Sequence, residues 1–303
     1  MGGFLADVWT DVIQGAALTV GLLLLMVAVL REQGGAAALA AVAPERLGVF
    51  GGGGGGTLAT LEAWAIPIIG SVMAPELIGR VIAARSGRVA RNGTLAAGTI
   101  YLCVGLVPAV LGLVGAGLVP GLEDPEHILP RLAELHLPGF LYVAFAGAIL
   151  SAILSTADST LLVSASLVAH NVVLPRFPGL DERAKVRLNR AGVALFGLVA
   201  YALAFSAEGV YALVEQASAF GSAGIFVATA AGLWSRRGGP ASAIAALLAG
   251  VVVWILGAYV LGWPYPFLTS VAAAVVAYAV GAIRRRGRGT EATVRSKRTA
   301  AKC

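Results

Sequence analysis

Ser151-Ala-Ile-Leu-Ser-Thr-Ala-Asp-Ser-Thr160 sets one carboxylate and five hydroxyls in the middle of the longest apolar run of the chain. Apolar residues dominate on both sides, from Phe140 to Leu150 and from Leu161 to Ala169. Polar and ionisable groups at membrane depth are costly and by default mark an ion or substrate path. Ala152, Ser155 and Thr156 stand at i, i+3 and i+4, which places them on one helix face. A backbone carbonyl freed there by a local distortion would give a hard cation a cluster of neutral oxygens. The competing reading is structural: membrane Ser and Thr often bond the i−4 carbonyl or join helices. Asp158 weighs against it, because an unpaired carboxylate in hydrocarbon has no comfortable structural role.

Working outward, the composition agrees with a membrane setting. Of 303 residues, 58% are hydrophobic and 13% charged, against about 25% charged in soluble domains. The chain therefore reads as an all-α polytopic membrane protein embedded in the lipid bilayer. Its net charge of +6 does not point to nucleic acid, since the Lys and Arg sit mostly in short loops and the tail. Cys103 and Cys303 offer neither metal spacing nor a disulfide framework.

Eight segments reach or approach the ~20 residues that span a bilayer, at roughly 12–30, 59–84, 94–119, 139–169, 188–206, 210–233, 240–261 and 266–283. Arginine and lysine gather after the second, fourth, sixth and eighth, as at Arg85, Arg183, Arg236 and Arg284, while the intervening loops are acidic or neutral. The positive-inside rule then puts both termini in the cytoplasm. Gly51 to Gly56 precede no Gly-Lys-Ser/Thr, so a phosphate loop is excluded and an external connector expected. Pro67, Gly70 and Pro75 within the second span favour a broken helix, a feature that lines cavities in transporters. Two readings stand for each polar outlier. Glu62 serves binding or snorkels, Glu76 and Arg80 form a surface pair at i, i+4, and Glu215 is a gate group or interfacial. Gly221-Ser-Ala-Gly224 in the sixth span suits close helix packing. The segment 120–138, with His127 and His136, reads as a solvated loop or short surface helix.

Four stretches in order resemble the sodium:solute symporter family. Trp9-Thr-Asp-Val-Ile-Gln-Gly15 resembles its fifth core helix, and Pro75-Glu76 through Arg80 to Ser86, with Arg88 and Arg91, the end of its broken sixth. Ala152 to Ser159 resembles the eighth core helix, the most specific match, and Trp234-Ser-Arg-Arg237 with Pro240 and Gly250 the junction after the tenth. The resemblance implies a LeuT-type inverted-repeat fold and the coupling of sodium entry to uptake of a small organic solute. It implies a sodium site at the Ala152 carbonyl and the Ser155 and Thr156 hydroxyls. It also implies a second ion site at Asp11, Asp158 and Ser159, where Asp158 replaces a hydroxyl common in the family and leaves proton coupling open. Solute would lie around Trp64, Gly70 and Ser71.

The organisation expected from this match is the last helix of the first repeat at 1–34 and a Gly-rich external loop at 35–58. The complete second repeat follows at 59–237, then two accessory helices at 238–284 and a basic disordered tail at 285–303. Only the last of the first five core helices finds a match. The expectation is thus a truncated or split symporter of the cell membrane, with a separate chain as one source of the missing helices. Three ligands on one helix fall short of the roughly six oxygens a hard cation takes. The alternative is a non-transporting regulatory or assembly partner derived from a transporter half. A membrane enzyme is disfavoured, because Gly-x-Ser-x-Gly and His-Glu-x-x-His are absent.

Overall fold

A computed structural model describes residues 3–35, 37, 40, 42, 56–205, 209–235 and 238–300, with backbone only at 3–7 and 284–300. Every regular element among them is helical. Seven helices are long and apolar enough to cross a membrane, and an eighth span results if one bent pair is counted together. The described chain is an all-α polytopic membrane protein. Large apolar side chains such as Phe140, Leu150 and Ile153 remain exposed along these helices, as lipid-facing surfaces do.

Two compact units divide the chain, one from 1–48 with 79–207 and the other from 49–78 with 208–303. In the first, α1 (Gly3–Glu32), α4 (Gly87–Leu118), α5 (Ile128–His136), α6 (Gly139–Val168) and α7 (Glu182–Ala204) pack together. Leu22, Leu25 and Val29 of α1 meet Leu111 of α4, Leu132 of α5 and Phe145 of α6 in its core. Short α5 buries Leu132 and Ala133 and lies against Gly115, where a Cβ would come within 2.6 Å of Leu132 Cδ1. The surface-helix expectation for 120–138 therefore holds for the backbone, but one face of that helix is core. His136 also hydrogen-bonds Glu32 at 2.5 Å and ties α5 to the end of α1. Start signals are local: Ser86 Oγ accepts from the Val89 N–H and caps α4, and Asp181 accepts from Ala184 to cap α7.

The second unit holds α2 (Gly56–Val72), α8 (Val210–Ala219), α9 (Ser222–Trp234), α10 (Pro240–Ile255) and α11 (Pro266–Ala300). Here α10 packs on both α9 and α11, while α2 packs on α8. The second expected span breaks at Met73-Ala74, and Pro75 opens the short α3 (Pro75–Ile82). Pro is well placed there, because the first turn of a helix needs no N–H donor from it. The sixth expected span is also broken, which sequence spacing did not reveal. Phe220 leaves the helix in an extended conformation, Gly221 adopts φ 77°, and α8 and α9 meet at a bend of 41°. The small residues that follow do serve close packing. A Cβ on Gly224 would lie 2.7 Å from Leu247 Cα, and one on Gly250 would lie 2.7 Å from Gly224 N.

The backbone of α11 remains helical to Ala300, where disorder was expected from 285 onward. Most of the Gly-rich loop at 35–58, Arg236 and Arg237 lie outside the described residues.

Candidate functional site

Helix α6 carries the polar stretch without interruption, so no backbone break frees the Ala152 carbonyl. That carbonyl instead accepts a hydrogen bond from Thr156 Oγ1 at 3.1 Å, and Thr160 repeats the pattern on the Thr156 carbonyl at 2.8 Å. These are the i−4 bonds that satisfy a hydroxyl in an apolar setting. Oxygen lone pairs remain on both groups, since a carbonyl or hydroxyl can accept more than one partner.

Ser155 does something different. Its hydroxyl donates to Asp11 Oδ1 across to α1, and Asp11 Oδ2 accepts from the Arg80 guanidinium. Residues 144 and 69 positions apart thus form one chain of contacts, all within the first unit. The Asp11 side chain is 20% exposed and that of Arg80 45%. Beside them opens a cleft of about 330 Å³ lined by Val8, Asp11, Val12, Arg80, Ala83 and Ala84. The cleft thus holds a carboxylate and a guanidinium within otherwise apolar walls.

The proposed second ion set is only partly assembled. Ser159 is buried, on the face shared by Ala152, Ser155 and Thr156. Asp158 lies about 120° round the helix from Ala152 by the 100° step per residue, and it is exposed. Among the described residues no hydrogen bond or ion pair joins it to Asp11. On α2, Trp64 and Ser71 are both exposed and share a face at i, i+7. Gly70 points elsewhere: a Cβ there would sit 2.7 Å from Ser218 Cβ and 2.8 Å from Ser218 O, so Gly70 lets α2 approach α8.

Two placements escaped sequence reasoning. Arg80 pairs with Asp11 and not with Glu76, a long-range choice that i, i+4 spacing cannot anticipate. Glu62 is buried at 8% exposure and accepts from the Phe267 and Leu268 backbone N–H groups at 2.6 and 2.8 Å. It caps the N-terminus of α11 from another helix, where negative charge also suits the helix dipole. The histidines engage different acids, His136 with Glu32 and His127 with Asp124 at 3.7 Å.

Ser155 and Asp11 bring a hydroxyl and a carboxylate together beside the Arg80 guanidinium, and oxygen donors suit a hard cation. The model of the sodium:solute symporter family matches residues 1–250. The high-affinity proline transporter PutP of Bacillus subtilis (strain 168) is 28% identical over 266 residues, covering 84% of this chain and 56% of that protein. A sodium/proline symporter of Staphylococcus aureus (strain bovine RF122 / ET3-1) is 28% identical over 273 residues, covering 84% of this chain and 52% of its own length. The chain spans about half the length of these curated relatives. With its helical membrane architecture and a family match that runs through α1, α6 and α9, the chain belongs to the sodium:solute symporter family.

Proposed function

We propose that the chain takes part in sodium-coupled uptake of a small organic solute across the cell membrane. In this reading the Ala152 carbonyl and the Ser155 and Thr156 hydroxyls contribute to sodium coordination. The observation that carries it is the hydrogen bond from Ser155 to Asp11, which adds a carboxylate to a face of neutral oxygens. Arg80 occupies that carboxylate in the present state. A sodium ion arriving at Asp11 competes with Arg80, so ion entry and release of the α1–α3 contact are linked.

Further assignments belong to the same reading. Asp158 and Ser159 extend the ion path, with proton coupling as the variant that a carboxylate permits. Trp64 and Ser71 contact solute, with Gly70 shaping the α2 backbone beside them. Residues 1–34 are the last helix of one LeuT-type repeat, 59–237 the second repeat, and 238–284 two accessory helices. Both termini face the cytoplasm, as the loop arginines favour.

The relatives' names make proline the first solute to test. The experiment is uptake of radiolabelled proline and a panel of amino acids, sugars and carboxylates by cells carrying the gene at its native locus. One solute is expected to accumulate with an inward sodium gradient and to stop accumulating when the gene is deleted. Uptake of every solute unchanged by deletion would favour the non-transporting partner instead.

A further inference from the structure

In the second unit, α9 and α11 enclose an apolar groove of about 510 Å³, walled by Phe226, Ala230 and Trp234 on one side and Val275, Ala279 and Ile283 on the other. That volume falls within the range of about 300–1,000 Å³ typical of small-molecule sites. Trp234 stands at its lip, 85% exposed. The α11 wall follows one helical stripe, Val275, Ala279 and Ala282 at i, i+4 and i+7. The next register position on that stripe, i+11, is Arg286, preceded by Arg284 and Arg285, and the backbone is helical through all three. The apolar stripe of the α11 wall thus continues, by helical register, into three successive arginines.

We propose that this groove holds an acyl chain of an anionic phospholipid, with the phosphate headgroup drawn to the arginine turn 284–286. Hydrocarbon alone would admit any lipid, and the carbon walls do not discriminate among headgroups. The charge at one end does, because juxtamembrane Lys and Arg attract anionic lipid headgroups strongly enough that each arginine alters binding by about fivefold. The proposal depends on the 284–286 turn lying at the membrane surface. It does not depend on sodium coupling, so a failed lipid experiment and a failed uptake experiment are separable.

The test places the full chain in phosphatidylcholine vesicles doped with phosphatidylglycerol brominated on its acyl chains, or with an equal fraction of brominated phosphatidylcholine. Bromine quenches a nearby indole, and the variant Trp234→Phe subtracts the signal of the other tryptophans among the five in the chain. The expected result is Trp234-dependent quenching several-fold stronger with phosphatidylglycerol. That preference is lost in the triple variant Arg284→Gln, Arg285→Gln, Arg286→Gln, and quenching by either lipid falls in Ala230→Leu, Ala279→Leu, which fills the groove. Equal quenching by the two lipids in the unaltered chain would overturn the proposal. So would a phosphatidylglycerol preference that survives groove filling, or the absence of Trp234 quenching, which would mean that protein covers the groove. The charge and groove variants are independent, and loss of folding in one leaves the other decisive.

Discussion

Glu62 and Asp11 are both carboxylates within apolar helices, yet their partners give them opposite characters. Glu62 accepts two backbone N–H groups that the first turn of α11 leaves without an intrahelical acceptor. Glu62→Ala is expected to destabilise the protein by about 1–3 kcal/mol, the cost of leaving buried donors unpaired. Glu62→Gln, which keeps one acceptor, is expected to cost less. Thermal unfolding of the detergent-solubilised chain checks the order, and an alanine variant as stable as the parent would refute the capping role. Asp11 is instead shared between a hydroxyl and a half-exposed guanidinium. Arg80→Gln is expected to leave Asp11 open to cations and to lower the sodium concentration that half-saturates uptake. An unchanged or higher half-saturation would contradict competition at that carboxylate. Ser155 and Thr156 were visible in the sequence because hydroxyls stand out in an apolar run, whereas Asp11 was implied only by the family resemblance. Their partners were not visible. Arg80 and Phe267 lie 69 and 205 residues from the acids they serve, and helical spacing predicts only neighbours three or four apart.

Glycine sets how closely the helices pack. Gly224 and Gly250 face each other across α9 and α10, with no room for a Cβ on either. Gly224→Leu should force the helices apart and cost about 1–3 kcal/mol or more, as overpacking does. Gly232 is a fitting control, since a Cβ there meets nothing within 4 Å; Gly232→Ala should be neutral or slightly stabilising. Equal unfolding midpoints for Gly224→Leu and Gly232→Ala would contradict this packing. The sequence announced the close contact through Gly221-Ser-Ala-Gly224, but not the bend before it. Only the backbone reveals that Gly221 takes a positive φ, a conformation glycine permits and does not by itself declare. Of Pro67, Gly70 and Pro75, on which a break in the second span was expected, only Pro75 marks it: the helix restarts there, while Pro67 and Gly70 lie within continuous α2.

For the whole molecule, hydropathy made the membrane class and most spans plain, and the alternation of loop charge is the basis of the proposed orientation. With Cys103 and Cys303 replaced by Ser, single cysteines at Glu126 and Arg183 should label from opposite sides with an impermeant maleimide. Glu126→Cys is expected to react from outside and Arg183→Cys only after permeabilisation; labelling of both from one side would overturn the topology. The central claim concerns the oxygens of α6, and sodium titration of solute uptake in cells carrying the altered gene at its native locus tests it most directly. If Ser155 and Thr156 contact the ion, Ser155→Ala and Thr156→Ala should each raise the half-saturating sodium concentration by about tenfold or more, the scale of a lost bond to a charged group. A sodium dependence in both variants that overlays the parent would contradict the assignment.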